Sequence, residues 1–570
     1  MNTIFSMKKL IPVLLCLSIT ACQKSTVRSN GSPHKEAATT AASELVIVTT
    51  TDFHAAFDKA EGLASAIREL KSKHGDNMLY LDGGDCFQGS LEGNMNKGRS
   101  NIAFFNALGV DAMALGNHEL DYGPDVLGRI NPTPNEDGLG NIKARVAESK
   151  FKWLSANFVR TKKRAKSKHL NALGQETFFA PHAIFERAGG RACVIGATTP
   201  ATAHITNPTF IRGARFESIA KTVEAEVKKL RKESQCTWVI LVAHAGLLCT
   251  PNGRCLEDAD RAEIFQMLRK LPPQTLDAVV AGHTHKRAQE VINGTPVIQA
   301  EHSAKAVGVL KLKKQGHAFE PFTEVSENTS VSDITALLKP YRDAAAELKT
   351  RVVTTLTAPM PRKYEDEAAL GNMIADAVLK AGADSVGADF GLMNAGGIRG
   401  DLPEGTLTYG NLYAALPFDN SLAVVELKGS ELRRVLEIAT SGGHGVAPVS
   451  GLRIKRIDAK PGESGTWSRD LNRDGKNEDW ERNLILEITD TQGNALQDDK
   501  RYRLATIDFL VIGGDHQSIV YDNVPSSRKH LFSGIWVRDL VVEHLKSFPE
   551  ARPELFYNPQ KKRIESVRAN

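Results

Sequence analysis

The chain lacks an excess of charge of either sign. Its 72 Lys and Arg stand against 67 Asp and Glu, a net of +5 over 570 residues, and the two signs are mostly mixed along the sequence. That balance serves solubility and gives no footprint for a nucleic acid polymer. Long apolar runs are also missing. Beyond Leu10 to Ile19, no segment approaches the length of a bilayer span, which excludes an integral membrane protein. No internal repeat is present. Metal-type side chains are plentiful, but no cysteine stands among them in the motifs below, which argues against a structural zinc site.

What the N-terminus does hold is a targeting pattern. Lys8 and Lys9 precede the short apolar stretch Leu10 to Ile19, which suits a signal peptide and is too short to cross a bilayer. Ile19-Thr20-Ala21-Cys22 resembles a bacterial lipobox, with Cys22 as the lipidated first residue. The expectation is a signal over 1–22 and a disordered tether over 23–43, which is rich in Ser, Thr, Ala and Lys and has no Phe, Tyr or Trp. The mature protein is then exported and held by lipid on a bacterial membrane, facing the periplasm. Export favours oxidised thiols. Cys249 and Cys255 flank turn residues and are expected to pair, a loop worth roughly 2 kcal/mol. Cys86, Cys193 and Cys236 read as small buried residues. The run Arg160 to Lys168, with six basic residues in nine, reads as a solvated loop.

From Leu45 to about Thr323, apolar strands alternate with helical stretches such as Glu61–Lys73 and Ser218–Glu233, which indicates an α/β core. Five apolar runs stop at metal-binding side chains. Leu45–Val48 leads to Asp52 and His54, and Met78–Leu81 to Asp85. Ala112–Leu115 leads to Asn117, His118 and Asp121, Trp238–Val242 to His244, and Ala278–Ala281 to His283 and His285. Ends of strands are where α/β sheets place ligands. Ser330 to Val353 reads as a linker helix with Ser332 as its N-cap and a kink or break at Pro340. A second α/β block follows from about Thr355 to Phe556.

The donor set has the size and hardness of a two-metal site. Asp52, His54 and His285 suit one ion, Asn117, His244 and His283 the other, with Asp85 between them. Two such ions share a hydroxide and stabilise in-line displacement at an ester. Manganese, zinc, cobalt and iron all suit these donors. His118, three residues before Asp121, suits a general acid whose tautomer the carboxylate fixes.

Asp52-Phe-His54, Gly83-Gly-Asp85, Gly116-Asn-His-Glu-Leu-Asp121, His244 and Gly282-His-Thr-His285 resemble the metallophosphoesterase signature. The second block resembles the C-terminal domain of the bacterial 5′-nucleotidase / UDP-sugar hydrolase family. The resemblance covers Leu45 to about Phe556. It implies a four-layer α/β catalytic domain over 44–325, a linker helix over 326–354, a smaller α/β substrate domain over 355–556 and a tail over 557–570. It implies as well a monomer that hydrolyses small nucleotide-like phosphate esters. Asn394, Arg399, Phe509 and Asp515 are the implied substrate-binding residues, with Arg399 on the phosphate and Phe509 on the base.

Two departures stand out. A second base-stacking aromatic is expected near Val446, and Gly443 to Gly451 offers only His444; the usual Gly-Gly-Asp-Gly-Tyr is Gly513-Gly-Asp-His-Gln517. Separately, Asp470, Asn472, Asp474, Lys476 and Glu481 occupy the ligand positions of an EF-hand loop with Gly475 at its sixth place, which reads as a lone structural calcium loop ahead of a strand, Leu484–Ile488. The alternatives to phosphoester hydrolysis are a same-fold hydrolase of sulfur esters or protein-bound thiosulfonates, and a non-catalytic binding lipoprotein.

Overall fold

The computed structural model describes residues 44–126, 136–161, 169–249, 255–256, 262–460 and 462–568. The 1–22 signal with Cys22, the 23–43 tether and most of the basic run Arg160 to Lys168 lie outside the described residues. Among the described residues no helix is long and apolar enough to cross a membrane.

The five apolar runs are strands, and they divide between two sheets. In the first, Glu44–Thr50 pairs in parallel with Met78–Asp82, which pairs with Ala112–Ala114, while Ala306–Lys313 runs antiparallel on the other side. In the second, Trp238–His244 lies between Gly190–Thr198 and Ala278–Ala281, parallel to both. Side chains alternate across each strand. Ile47, Leu79 and Leu81 of the first sheet meet Val194, Ile240 and Val280 of the second in an inner core. Val46, Val48 and Tyr80 face the opposite way and pack with helix Ala60–His74. Val239, Leu241 and Val279 pack with helix Ile219–Glu233. Helix, sheet, sheet and helix make four layers. Burial on both faces explains why these strands read as unbroken apolar runs.

The C-terminal domain is built on a five-stranded sheet. Its strand Arg501–Ile507 lies between Phe390–Leu392, parallel, and Ser421–Lys428, antiparallel. Helix Ala369–Val386 shares one apolar core with these strands. The predicted strand at Leu484–Ile488 forms as Ile485–Asp490 and pairs with Leu452–Asp458.

Two expectations about the linker helix are corrected. It spans Ser332–Thr350, so Ser332 is its first residue and Val331 stands at the cap without a side-chain bond. Of the kink or break expected at Pro340, the break does not occur, and the helix is continuous through it. Proline removes one backbone hydrogen bond and crowds the preceding turn. Contacts beyond the helix outweigh that loss. Ile334, Leu338 and Ala345 are buried, and Arg342 donates to the Glu61 carboxylate at 2.6 and 2.9 Å.

A third correction concerns thiols. Cys193 and Cys236 are not independent buried residues but a disulfide with Cα atoms 5.8 Å apart. Cys193 faces Val239 on the neighbouring strand, and Cys236 sits just before that strand, so sheet register brings the two thiols together. A bridge across 43 residues of chain stabilises by roughly 4 kcal/mol on the chain-entropy model. Cys249 and Cys255 are also joined, and Cys86 is buried and free.

Candidate active site

Asp52, His54, Asp85, His283 and His285 share an unusual backbone. All five have left-handed φ angles between 50° and 74°. Side chains other than glycine adopt this region only when their surroundings impose it. Here the imposition is a mesh of backbone bonds between strand-end loops. The Asp52 N–H donates to Gly84 at 2.8 Å, and the His54 N–H donates to Asp85 at 3.1 Å. The His283 N–H donates to the Asp52 carboxylate at 3.0 Å, and the His118 N–H donates to Asp85 Oδ1 at 2.9 Å. At Gly116 an added Cβ would lie 2.1 Å from Asp85 Oδ1, so only glycine permits this approach.

The mesh gathers the side chains into overlapping clusters. Donor atoms of Asp52, His54 and His285 lie within 4.8 Å of one another, as do those of Asp85, His244 and His283, and those of His54, Asp85 and His118. His54 Nε2 is 2.9 Å from His285 Nε2, and His244 Nε2 is 3.0 Å from Asp85 Oδ2 and 3.1 Å from Asn117 Oδ1. The other ring nitrogens are spoken for: Nδ1 of His54 faces the Gln88 carbonyl and Nδ1 of His244 the Gly83 carbonyl, each at 2.9 Å. A proton donated there leaves Nε2 with a lone pair aimed inward. All seven predicted donors are therefore brought together.

Electrostatics fit a cation. Burial raises the Asp52 carboxyl above its ordinary range. Burial also pushes Asp85 up, but the His244 and His118 rings outweigh it and hold that carboxyl well below the usual value. His244 answers in the opposite sense: burial lowers it, yet Asp85 carries it to about 10. Burial and the His285 ring hold His54 low, hence neutral. Buried carboxylates, imidazole nitrogens and an amide oxygen form a donor set suited to divalent ions of nitrogen and oxygen preference, and a cation there would displace the proton that Asp85 holds on His244.

His118 and Asp121 form the expected pair, with Nδ1 and Oδ2 2.5 Å apart. Burial lowers the His118 imidazole, but Asp85 and Asp121 outweigh it and raise it. Glu119, between them in sequence, has a role that the motif does not announce. It is buried and accepts the N–H groups of Asp85, Cys86, Phe87 and Gly116 at 2.7–3.2 Å, fastening the two loops together. Burial and Asp85 raise its carboxyl to about 7.

These residues open on a cleft of about 920 Å³ whose other wall belongs to the C-terminal domain. Arg399, Asn394, Phe509 and Asp515 all line it, and Asn394 donates to Asp515 at 3.0 Å. The stretch Gly443 to Gly451 brings no Phe, Tyr or Trp to the cleft, but aromatics from elsewhere in the chain do reach it. Phe418 and Tyr364 line the cleft beside His444. The Phe418 ring lies 5.6 Å from the His118 ring and 6.0 Å from the Arg399 guanidinium carbon. Phe418 is half-buried in the turn Leu416-Pro-Phe-Asp-Asn420, ahead of strand Ser421–Lys428.

The Asp470–Glu481 loop stands apart from the cleft. Asp470 accepts the N–H groups of Asp474 and Gly475, and Glu481 those of Leu471 and Asn472. Lys476 donates its N–H to Asp474. Asp470, Asp474 and Glu481 are not among the described carboxylates that converge as a metal group.

A four-layer α/β domain with histidine and carboxylate donors gathered at its strand ends is the architecture of a metal-dependent phosphoesterase. Comparison with known proteins agrees. Residues 45–287 match the calcineurin-like phosphoesterase model and residues 348–522 the 5′-nucleotidase C-terminal domain model. Protein UshA of Yersinia enterocolitica is 27% identical over 543 residues, covering 85% of this chain and 88% of that one. The trifunctional nucleotide phosphoesterase protein YfkN of Bacillus subtilis is 27% identical over 84% of this chain, which spans only 32% of that longer relative. The crystal structure of the 5′-nucleotidase precursor from Thermus thermophilus superposes with a TM-score of 0.73 at 23% identity, over 92% of this chain and all of that one. The chain belongs to the metallophosphoesterases that carry a 5′-nucleotidase C-terminal domain, and it is a 5′-nucleotidase-like phosphoric ester hydrolase.

Proposed function

We propose that the chain is an exported two-metal hydrolase that releases phosphate from 5′-nucleotides or related esters. The observation that supports it is the convergence of seven nitrogen and oxygen donors, Asp85 among them, at a cleft whose opposite wall presents Arg399. Asp52, His54 and His285 would hold one divalent ion and Asn117, His244 and His283 the other, with Asp85 shared. Such ions polarise phosphoryl oxygens and lower the pKa of water.

The chain's own groups do the rest. The Arg399 guanidinium presents a planar fork of donors to phosphoryl oxygens. Asp121 fixes His118 with its second nitrogen toward the cleft, from which it hands a proton to the departing alkoxide. Phe509, Phe418, Asn394 and Asp515 receive the rest of the leaving group. Residues 44–325 supply the chemistry and 355–556 the recognition, joined by the helix. Lipidation at Cys22 would keep the reaction at the membrane surface. A calcium ion in the Asp470–Glu481 loop belongs to the same reading; its support is the EF-hand spacing and the left-handed Gly475, φ 83°.

Phosphate release from AMP, UDP-glucose and bis(p-nitrophenyl) phosphate by the metal-loaded chain tests the reading, with Asp85→Asn and His118→Ala beside it. Turnover of AMP that both variants lose supports it. Activity on the aryl diester alone would discard the nucleotide, and inactivity with every metal despite two bound ions would discard the phosphoester. Radiolabelled palmitate incorporated by the wild type and lost in Cys22→Ser would support the anchor.

A further inference from the structure

Behind the substrate wall stands a column of three flat rings. The Trp480 indole stacks on the His516 imidazole with centroids 4.0 Å apart and planes at 4°, and His204 stacks on the same imidazole at 4.1 Å and 25°. Two rings cannot share one face at that distance, so His516 is sandwiched. The rings come from three places. His204 belongs to the short helix Thr202–Ile205 of the catalytic domain, Trp480 to the turn Asp479–Glu481, and His516 to the turn after Gly513-Gly514.

None of the three lines the cleft, but their neighbours do: Asp515, His444 and Gly443. Asp515 and His516 are consecutive residues with left-handed φ of 50° and 62°, so the turn is held in place by what surrounds it. The Trp480 backbone abuts Gly443, where a Cβ would come within 2.6 Å. The indole N–H donates to Glu478 at 2.7 Å, and Arg482 donates to the Ser441 carbonyl at 2.8 Å, which pins this turn under the His444 loop. His516 thus carries Asp515 on its own chain and braces the His444 ring, 5.1 Å away, while His444 Nδ1 lies 3.9 Å from Asp515. Burial and the His444 and His204 rings hold the His516 imidazole far below its usual value, so the rings stack uncharged.

We propose that His516 is a specificity-determining positioning residue, clamped between Trp480 and His204 to set the spacing of Asp515 and His444 for a leaving group with hydroxyls and a flat ring, a nucleoside. It rests on the phosphoester reading above. Because His204 comes from the other domain, the wall takes its shape only while the two domains are seated together.

The test compares kcat/KM for AMP and for p-nitrophenyl phosphate in the detergent-solubilised full chain, as wild type, His516→Gly and His516→Phe. Glycine removes the ring and suits the left-handed backbone, and phenylalanine restores a flat ring. The expected result is that His516→Gly lowers the value for AMP about tenfold more than for the aryl ester, through KM rather than kcat. His516→Phe recovers most of the loss, and His204→Ala moves the ratio in the same direction as glycine. Equal losses on both esters, or phenylalanine no better than glycine, would overturn the proposal with the phosphoesterase reading intact. A wild type that releases phosphate from neither ester removes that reading, and the proposal with it.

Discussion

On the catalytic-domain wall of the cleft, side chains are fastened to backbone. Asp52 accepts the His283 amide, Asp85 the His118 amide, and the His54 and His244 rings are turned by the Gln88 and Gly83 carbonyls. On the opposite wall, Asn394 and Arg399 come from one segment, Phe418 from a turn, and Phe509 and Asp515 from the short helix Asp508–Val511 and the turn after it. The contacts among them include a side-chain bond from Asn394 to Asp515 and the Arg399 guanidinium near the Phe418 ring. Backbone bonds between adjacent loops fix atoms to a few tenths of an ångström, which a cluster of cations demands. Ring stacking is softer and tolerates replacement of one flat residue by another. The first wall is suited to holding one chemistry, the second to changing its substrate.

The sharpest way to break this comparison is to change charge on the rigid wall while keeping its shape. Asp85→Asn should reduce bound metal, measured by elemental analysis, and bring phosphate release to background. A variant with full metal content and wild-type turnover would mean that Asp85 is not shared by the ions. Next in size, His118→Ala should lower kcat by about 10²–10⁴-fold with metal content unchanged. Asp121→Asn should move the alkaline limb of the kcat profile to lower pH. The acid must be protonated to act, so activity is present below its pKa and lost above it; Asp121 is one of the two carboxylates that raise that pKa. An unmoved limb would assign the titration elsewhere. Glu119→Ala should leave buried amides unsatisfied and cost about 1–3 kcal/mol, read as a fall in melting temperature with reduced metal affinity. The smallest effect belongs to the soft wall. Phe418→Ala should raise KM for AMP about tenfold with kcat nearly unchanged, and Phe418→Tyr should keep most of the affinity. A kcat loss as large as that of His118→Ala would show that Phe418 chiefly orients the His118 ring.

The same contrast explains what is legible beforehand. The five strands and the donors after them can be read because each is local: an apolar run, then a polar side chain within a few residues. Phe418 cannot. Its turn lies far in sequence from Phe509 and from His118, and nothing in Leu416-Pro-Phe-Asp-Asn420 states which rings it will meet. The Cys193–Cys236 pair escapes for a related reason, since it depends on the register of two strands rather than on spacing. Pro340 misleads because the local penalty is visible and the Glu61–Arg342 contact that outweighs it is not.

The order of residues by itself determined the α/β layers, the helix joining the two domains and the identity of seven candidate metal donors and a candidate acid. Periodicity and strand-end placement are properties of short stretches, which the backbone expresses wherever they fold. Tertiary structure alone decided how those donors face one another, with five left-handed residues held by bonds from neighbouring loops. It alone set Phe418 against His118 and His516 between Trp480 and His204. Ring against ring between segments distant in sequence is fixed by packing, and packing is a property of the whole fold.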